Sequence, residues 1–188
     1  MPPRSPTRLR SETIGSHRVF DVQRHVVTDS SSDVGGSTYE VFSLRMPDWV
    51  TVAARTVDGS FLLIWQHRHG VDGLMLETPG GIQDDGERPE QTAARELLEE
   101  TGYQAGRLES LDWVHPNPAI QDNRLHMQLA LDCELTGPRK LDEHEDTEPV
   151  LIEAVELRRM LRAGEIRHAL SALTLERALA RLDGRSSE

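Results

Sequence analysis

The first quarter of the chain carries hydrophobic and polar residues in the patterns of short β-strands. Segments 19–28 and 38–46 mix β-branched and aromatic residues with polar ones, which is typical of half-buried antiparallel strands. The small residues of 30–37 indicate a loop between them, and the Pro-, Arg- and Ser-rich first ten residues predict a mobile tail. We therefore expect a small N-terminal antiparallel β segment over residues 1–48.

A second domain is predicted over residues 49–188, where strand patterns alternate with helical ones. The predicted strands are 50–56, 61–65, 74–78, 108–114, 124–135 and 150–155, and the predicted helices are 88–101, 157–163 and 168–182. Pro89 suits a first helical position, and Gly102 suits a C-terminal cap. Strands before, between and after helices predict an α/β fold, a sandwich around a mixed sheet.

Composition narrows the possible partners. The formal net charge of −11 and a pI of about 5.2 disfavour nonspecific binding to nucleic acid, which requires a lysine- and arginine-rich surface. The single cysteine, Cys133, lies in an apolar run, so we expect a buried thiol, no internal disulfide and a reducing compartment. Because no stretch approaches about 18 uninterrupted apolar residues, we expect no membrane association and a cytoplasmic protein.

Three glutamates share one face of the first predicted helix. Glu96, Glu99 and Glu100 stand at positions i, i+3 and i+4, where like charges repel by roughly 0.2–0.5 kcal/mol per exposed pair. The triplet alone has two readings, a solvated acidic face paired with cations such as Arg95, or a site for a hard divalent cation. Mg²⁺ prefers oxygen ligands and binds through one or two carboxylates plus substrate phosphates.

The spacing around these glutamates carries a family resemblance. Five residues separate Gly81 from Glu87, and seven separate Glu87 from Arg95. The rest of the pattern is, in order, Glu96, an aliphatic residue, any residue, Glu99, Glu100, any residue and Gly102. This pattern resembles the Nudix box, and the resemblance to Nudix hydrolases covers most of residues 50–182. Tyr103 departs from the usual aliphatic residue, which affects packing behind the helix and not the acidic face.

Two further motifs are similar to those of the ADP-ribose and nucleoside diphosphate sugar pyrophosphatases. They are the strand end Gln66-His67-Arg68 and the run Glu77-Thr78-Pro79-Gly80-Gly81. The resemblance implies metal ligation by Glu96, Glu99, Glu100, Glu145 and the Gly80 carbonyl, with Mg²⁺ as the expected ion and Mn²⁺ as the alternative. It also implies that Gly81, Glu87, Arg95 and Gly102 have structural roles.

The catalytic base is expected in the acidic segment 142–148, which precedes the strand predicted at Val150. By the resemblance, Glu143 would accept the proton of the attacking water, while Glu145 would add a metal contact and Glu99 would assist catalysis. A solvated acidic turn is the alternative reading, and the choice between Glu143 and Glu145 as base stays open.

Substrate contacts are expected by the same resemblance from Arg45, Trp49, Arg68, Ile82 and Asp122. A guanidinium such as that of Arg68 can fork onto phosphate oxygens, or it can form a surface ion pair. Trp49 can stack on a nucleobase or pack in the core. The loop 115–124 follows the helix on the expected substrate side, but its residues depart from the pattern common in ADP-ribose enzymes. His115 and His126 have no spacing that favours zinc.

The resemblance thus implies a metal-dependent pyrophosphatase of nucleoside diphosphate sugars, with ADP-ribose ahead of GDP-mannose as substrate. Nucleoside triphosphates or dinucleoside polyphosphates are the alternative substrates, and a noncatalytic nucleotide-sensing domain is the alternative of another class. Relatives exchange the N-terminal sheet between subunits, so a homodimer is also expected.

Overall fold

A computed structural model of the chain describes residues 5–28, 37–141 and 146–185. Its internal contacts divide the chain into two compact units. Unit 1 comprises Met1–Pro47 and His115–Arg124, and unit 2 comprises Asp48–Val114 and Leu125–Glu188. Within the described ranges, no helix combines the length and the apolar character needed to cross a membrane.

Unit 1 contains a three-stranded antiparallel sheet with the strand order β1-β2-β3. The strands are β1 (Thr7–Ser16), β2 (Asp21–Thr28) and β3 (Thr38–Arg45). The two predicted N-terminal strands are therefore confirmed. The mobile tail predicted for the first ten residues is wrong from Thr7 onward, because β1 pairs along the full length of β2, a contact that local composition does not reveal. Of the predicted loop 30–37, all but Ser37 lies outside the described residues.

Unit 2 is built on a mixed sheet, as predicted. Its strands are β4 (Trp49–Thr56), β5 (Phe61–Arg68), β6 (Gly73–Glu77), β7 (Gly80–Ile82), β8 (Tyr103–Gln104), β9 (Arg107–Val114), β10 (Leu125–Leu135) and β11 (Thr147–Ile152). The main path runs β11-β5-β4-β10-β8, while β6 pairs with β5, β7 with β4 and β9 with β10. The β10–β4 pair is parallel and the other pairs are antiparallel.

Helices cover both faces of this sheet. They are α1 (Pro89–Thr101), α2 (Ala154–Arg162) and α3 (Ala169–Arg185). On one face, Ala93 and Leu97 of α1 join a buried cluster with Val50 and Val52 of β4. On the other face, Leu157 of α2 and Leu175 and Leu179 of α3 pack in a second cluster that contains Ala53, Phe61 and Leu63. The predicted α/β/α sandwich is confirmed.

The ends of α1 follow the predicted signals. Pro89 is the first helical residue, after Arg88 in an extended conformation. Gly102 closes the helix with φ at 78° and donates its N–H to the Leu98 carbonyl at 2.8 Å. A Cβ at Gly102 would lie 2.3 Å from the Gly137 carbonyl oxygen, so only glycine fits this cap.

Two short strands and several element boundaries differ from the sequence expectations. The short strands β7 and β8 were not predicted, because two or three residues carry no readable periodicity. The strand expected to run to Val155 ends at Ile152, and α2 begins at Ala154 instead of Leu157. The Glu153 carbonyl already accepts the Leu157 N–H at 2.9 Å, so the apolar run crosses from strand into helix.

Candidate active site

Two glutamates of α1 are buried against the Gly80–Gly81 turn. Glu100 is 1% exposed and accepts the Gly80 N–H at 2.8 Å through Oε2, and Glu96 is 7% exposed. A Cβ built on Gly81 would lie 2.3 Å from Glu96 Oε1, so this carboxylate sits directly over the glycine. A solvated acidic face is therefore the wrong reading for Glu96 and Glu100, which point into the fold.

Gly80 packs against β4 as closely as Gly81 packs against α1. A Cβ at Gly80 would lie 2.2 Å from the Val50 carbonyl oxygen and 2.9 Å from the Thr51 Cα. The turn therefore fits against β4 only because Gly80 has no side chain, and the absence of a side chain at Gly81 leaves room for the Glu96 carboxylate. As a result, the buried carboxylates of Glu100 and Glu96 lie against two consecutive residues of the backbone, Gly80 and Gly81.

Glu99 occupies a different environment from the other two glutamates. Its side chain is 37% exposed, and its Oε2 accepts a hydrogen bond from Arg95 Nη1 at 3.1 Å. The same Nη1 donates to Glu96 Oε1 at 2.8 Å. Arg95 thus links Glu96 and Glu99, whereas Glu100 is held by the glycine turn.

Glu87 fixes the other side of the Arg95 guanidinium. Arg95 Nε and Nη2 donate to the two Glu87 oxygens at 3.1 Å each, and Nη2 also donates to the Ile82 carbonyl at 3.2 Å. Thr92 Oγ1 donates to Glu87 Oε2 at 2.7 Å. The hydrogen bonds from Arg95 and then from Thr92 lower the Glu87 pKa to about 2. Glu87 and Arg95 therefore connect the glycine turn with α1 through hydrogen bonds.

A buried polar cluster behind the turn was missed by sequence reasoning. Arg68 Nε and Nη2 donate to the two oxygens of Glu77 at 2.9 and 2.7 Å, and Glu77 is 1% exposed. His168 Nδ1 lies 3.3 Å from Glu77 Oε2 and 2.8 Å from Ser171 Oγ. Burial lowers the His168 pKa, with a smaller opposing effect of Glu77. No local motif marks His168, which directly precedes α3, or Ser171, which lies in the first turn of α3, and both are far along the chain from Glu77.

The remaining predicted substrate residues fall in both units. In unit 2, Trp49 is partly buried and packs against the α2/α3-side core, and it pairs with Ile82 between β4 and β7. In unit 1, Arg45 donates to Asp21 Oδ2 at 2.5 Å, and Asp122 Oδ1 accepts the Met46 N–H at 3.2 Å. Each of these residues has a protein partner, and their substrate contacts stay predictions.

The predicted catalytic residues Glu143 and Glu145 lie outside the described residues. The chain on either side of them is fixed to the end of α1. Lys140 N donates to the Glu99 carbonyl at 2.9 Å, and Thr147 Oγ1 donates to the Glu100 carbonyl at 3.2 Å. Segment 141–146 therefore begins and ends next to the helix that carries the glutamates.

A divalent cation fits the chemistry of this donor set. Carboxylate and carbonyl oxygens are the ligands that Mg²⁺ and Mn²⁺ favour, and buried carboxylates call for a compensating charge. Among residues 5–28, 37–141 and 146–185, no three His, Cys, Asp or Glu side chains are grouped closely enough to hold a metal ion. Two buried carboxylates, those of Glu96 and Glu100, lie next to the Gly80–Gly81 backbone, and by themselves they could supply only part of a coordination sphere.

The histidines considered for zinc have ordinary partners. His126 Nε2 lies 2.9 Å from Asp48 Oδ2, and His115 Nδ1 lies 3.0 Å from the Asn123 carbonyl. Tyr103, which departs from the box pattern, packs against the core cluster under α1, so its effect is on packing as expected.

Comparison with known proteins gives a consistent result. The family model described as NUDIX domain matches residues 46–173. The ADP-ribose pyrophosphatase of Bacillus subtilis (strain 168) is 31% identical over 172 residues, which cover 89% of this chain and 92% of the relative. The CMP-5'-(N-acetyl-N-hydroxy-3-aminopropyl)phosphonate hydrolase of Streptomyces rubellomurinus is 36% identical over 138 residues, which cover 71% of this chain and 67% of the relative. A crystal structure of an ADP compounds hydrolase superposes with a TM-score of 0.84 at 23% identity, covers 98% of both chains and matches in fold.

Proposed function

The chain belongs to the Nudix family and is a pyrophosphatase, and from this we propose that it hydrolyses nucleoside diphosphate sugars, ADP-ribose first, with Mg²⁺ or Mn²⁺. The observation that carries the proposal is the burial of Glu96 and Glu100 against the Gly80–Gly81 turn. The bound metal would neutralise the diphosphate and make a water more acidic. Hydrolysis would add one water across the diphosphate: its oxygen would bond to one phosphorus, the bridging P–O bond would break, its proton would pass to the base, and a nucleoside monophosphate and a sugar phosphate would result.

The protein side of the reaction is assigned to three groups of residues. Glu96 and Glu100, with Glu99 and the Gly80 carbonyl, would bind the cation. Arg95 and Glu87 would keep α1 and the turn in register through their paired hydrogen bonds. The acidic segment 142–148 would supply the base.

Glu143 is the proposed base, with Glu145 as a further metal contact. The attachment of Lys140 and Thr147 to the Glu99 and Glu100 backbone carbonyls supports this assignment, because the described residues that flank the acidic segment both contact the C-terminal part of α1. To test it, Glu143→Gln and Glu145→Gln should be compared in activity and in metal affinity. We expect Glu143→Gln to slow turnover with little loss of metal binding; if Glu145→Gln alone does so, the base is assigned to the wrong residue.

Substrate choice can be tested with a panel of ADP-ribose, GDP-mannose, UDP-glucose, a CMP ester, diadenosine polyphosphates and nucleoside triphosphates, with and without Mg²⁺. Cleavage of ADP-ribose to AMP and a sugar phosphate is the expected result. Preferred cleavage of triphosphates or dinucleoside polyphosphates would refute the substrate class and leave the pyrophosphatase chemistry intact. Binding without turnover across the panel would favour a nucleotide-sensing domain.

The metal site is tested by Glu100→Gln with Glu90→Gln as the matched control. Both variants remove one negative charge from α1, but Glu90 is exposed in its first turn. The side-chain carbonyl oxygen introduced by Glu100→Gln can still accept the Gly80 N–H, so the fold should persist while metal-dependent turnover is lost. Near-normal turnover of Glu100→Gln would contradict the assigned role.

We also propose a homodimer and a cytoplasmic setting. The unit 1 sheet exposes apolar side chains, which supports a contact with a second copy: Leu9, Ile14, Tyr39 and Phe42. The buried thiol of Cys133, which the structure places in the core, is compatible with a reducing compartment. Light scattering over a range of protein concentrations tests the dimer, and a concentration-independent monomer would refute it.

A further inference from the structure

Ser171 of α3 connects this helix to the strand end that leads into the glycine turn. Its Oγ lies 3.0 Å from the Thr78 N, 3.0 Å from Thr78 Oγ1 and 2.8 Å from His168 Nδ1. Ser171 is fully buried, and Thr78 is 3% exposed. The catalytic proposal assigns no role to this hydroxyl or to His168.

The hydrogen bonds at Ser171 can be assigned one by one. A hydroxyl has one donor and two acceptor positions, and the Thr78 N–H must occupy one acceptor position. Glu77 Oε2 lies 3.3 Å from His168 Nδ1, and because a carboxylate only accepts, this contact favours the imidazole tautomer with its proton on Nδ1. In that tautomer His168 donates to Ser171, and the Ser171 hydroxyl donates to Thr78 Oγ1. Every position on this buried hydroxyl is used.

This network continues to the metal-binding carboxylates through the backbone. Thr78 is followed by Pro79, whose ring fixes φ and whose carbonyl accepts the Val52 N–H at 2.8 Å. The next residue is Gly80, whose N–H donates to Glu100 Oε2. A displacement of the Thr78 backbone is therefore passed along a stiff segment to the N–H that holds Glu100.

We propose that Ser171 and His168 are positioning residues that hold the turn from Thr78 to Gly81 so that Gly80 keeps Glu100 in place for the cation. The inference rests on the proposed function, since it explains how α3, on the opposite face of the sheet from α1, supports the site. Neither residue contacts the reacting groups in this role. Their loss should weaken metal binding before any nucleotide is present.

The decisive variant is Ser171→Ala, with Thr56→Val as its control. Thr56 is also buried, but its Oγ1 bonds to the Asp58 side chain and the Ser60 carbonyl at the end of β4 that is far from the turn. Binding of Mn²⁺ alone would be measured by calorimetry, and hydrogen exchange of the Gly80 amide by NMR in metal-free protein. We expect Ser171→Ala to weaken Mn²⁺ binding by roughly tenfold or more and to speed Gly80 exchange. Thr56→Val should leave both close to wild type, even if it lowers the melting temperature equally.

A second pair of variants leaves Ser171 in place. In His168→Asn the side-chain amide keeps a donor near the Nδ1 position, whereas His168→Leu removes it, so Mn²⁺ affinity should be retained better in the asparagine variant. Equal Mn²⁺ affinity and equal Gly80 exchange in wild type, Ser171→Ala and His168→Leu would overturn the proposal. If wild type bound no Mn²⁺, the proposed metal site would fail separately, and Gly80 exchange alone would decide whether Ser171 positions the turn.

Discussion

Replacing Glu87 by Gln tests the connection between the glycine turn and α1. The native carboxylate accepts two hydrogen bonds from Arg95 and one from Thr92, and its pKa falls from the ordinary value of 4.5 to about 2. Retained in full, this difference corresponds to about 3 kcal/mol of folding stability. Because 22% of the Glu87 side chain is exposed, solvent screening reduces our expectation to about 1–2 kcal/mol.

The pH dependence of this effect has a fixed sign. A carboxylate whose pKa is depressed in the native state contributes stability that is fully present above its unfolded pKa and is lost as the pH falls towards its folded pKa. For Glu87 this window runs from about pH 4.5 down to about 2. At pH 3 only about two-fifths of the pH 7 contribution remains. The difference between wild type and Glu87→Gln should therefore shrink on acidification.

Urea unfolding and thermal melts at pH 7 and at pH 3, with Glu90→Gln as the control for a lost charge, measure the free energy of unfolding and the melting temperature. At pH 7 we expect Glu87→Gln to lower the melting temperature by roughly 2–8 °C, since about 2–4 °C corresponds to 1 kcal/mol in a chain of this size. A Glu87→Gln variant as stable as the control at pH 7 would refute the reasoning. So would a stability difference that is unchanged at pH 3.

Three further perturbations test the same geometry. Gly80→Ala should destabilise the fold by several kcal/mol, because its Cβ would meet backbone atoms. Gly81→Ala should mainly weaken metal binding, because its Cβ would meet the movable Glu96 carboxylate. Thermal melts measure the first effect and calorimetry measures the second, and equal losses of stability and of metal affinity in the two variants would contradict this distinction. Cys133, whose pKa burial raises to about 11, should react with a thiol reagent only as fast as the protein unfolds; rapid reaction in native protein would disprove this. Arg68→Gln should lower the free energy of unfolding by about 2 kcal/mol or more, because it leaves Glu77 buried without its ion pair to Arg68. A raised KM with an unchanged free energy of unfolding would instead favour a role of Arg68 in substrate binding.

The sequence predicted those parts of the site that are encoded locally. The helix α1 begins at Pro89 and ends at Gly102, and both signals act within a residue or two of the boundary. The acidic face was also readable, because helical geometry places i and i+4 about 40° apart. That geometry brings Glu96 and Glu100 together, and the burial of Ala93 and Leu97 on the same helix directs this side towards the sheet.

The parts that were missed depend on contacts between distant segments. Thr78 and Ser171 are 93 positions apart, and neither a serine in a helix nor a threonine at a strand end is unusual by itself. An ion pair was one of the two readings for Arg68, but its partner, the buried Glu77, was not identified, because nothing in the local sequence marks that contact. Likewise, β1 exists because β2 offers it a partner, and the local composition of its residues indicated a tail. Periodicity reports which face of an element is buried, but it does not report what lies across from it.

The placement of Glu96 and Glu100 is hard to explain by stability alone. Both are buried near the C-terminal end of α1, where the helix dipole disfavours anions, and the last turn of α1 contains no basic residue. Arg95 offsets part of the charge at Glu96, while Glu100 receives an uncharged N–H from Gly80. A sequence selected only for folding would replace Glu100 with a neutral side chain, because burying a carboxylate is costly. The fold instead surrounds Glu100 with features that immobilise it, namely the two glycines, the Thr147 contact to its carbonyl and the α3 network behind the turn. Such an arrangement is expected where a held negative charge serves catalysis.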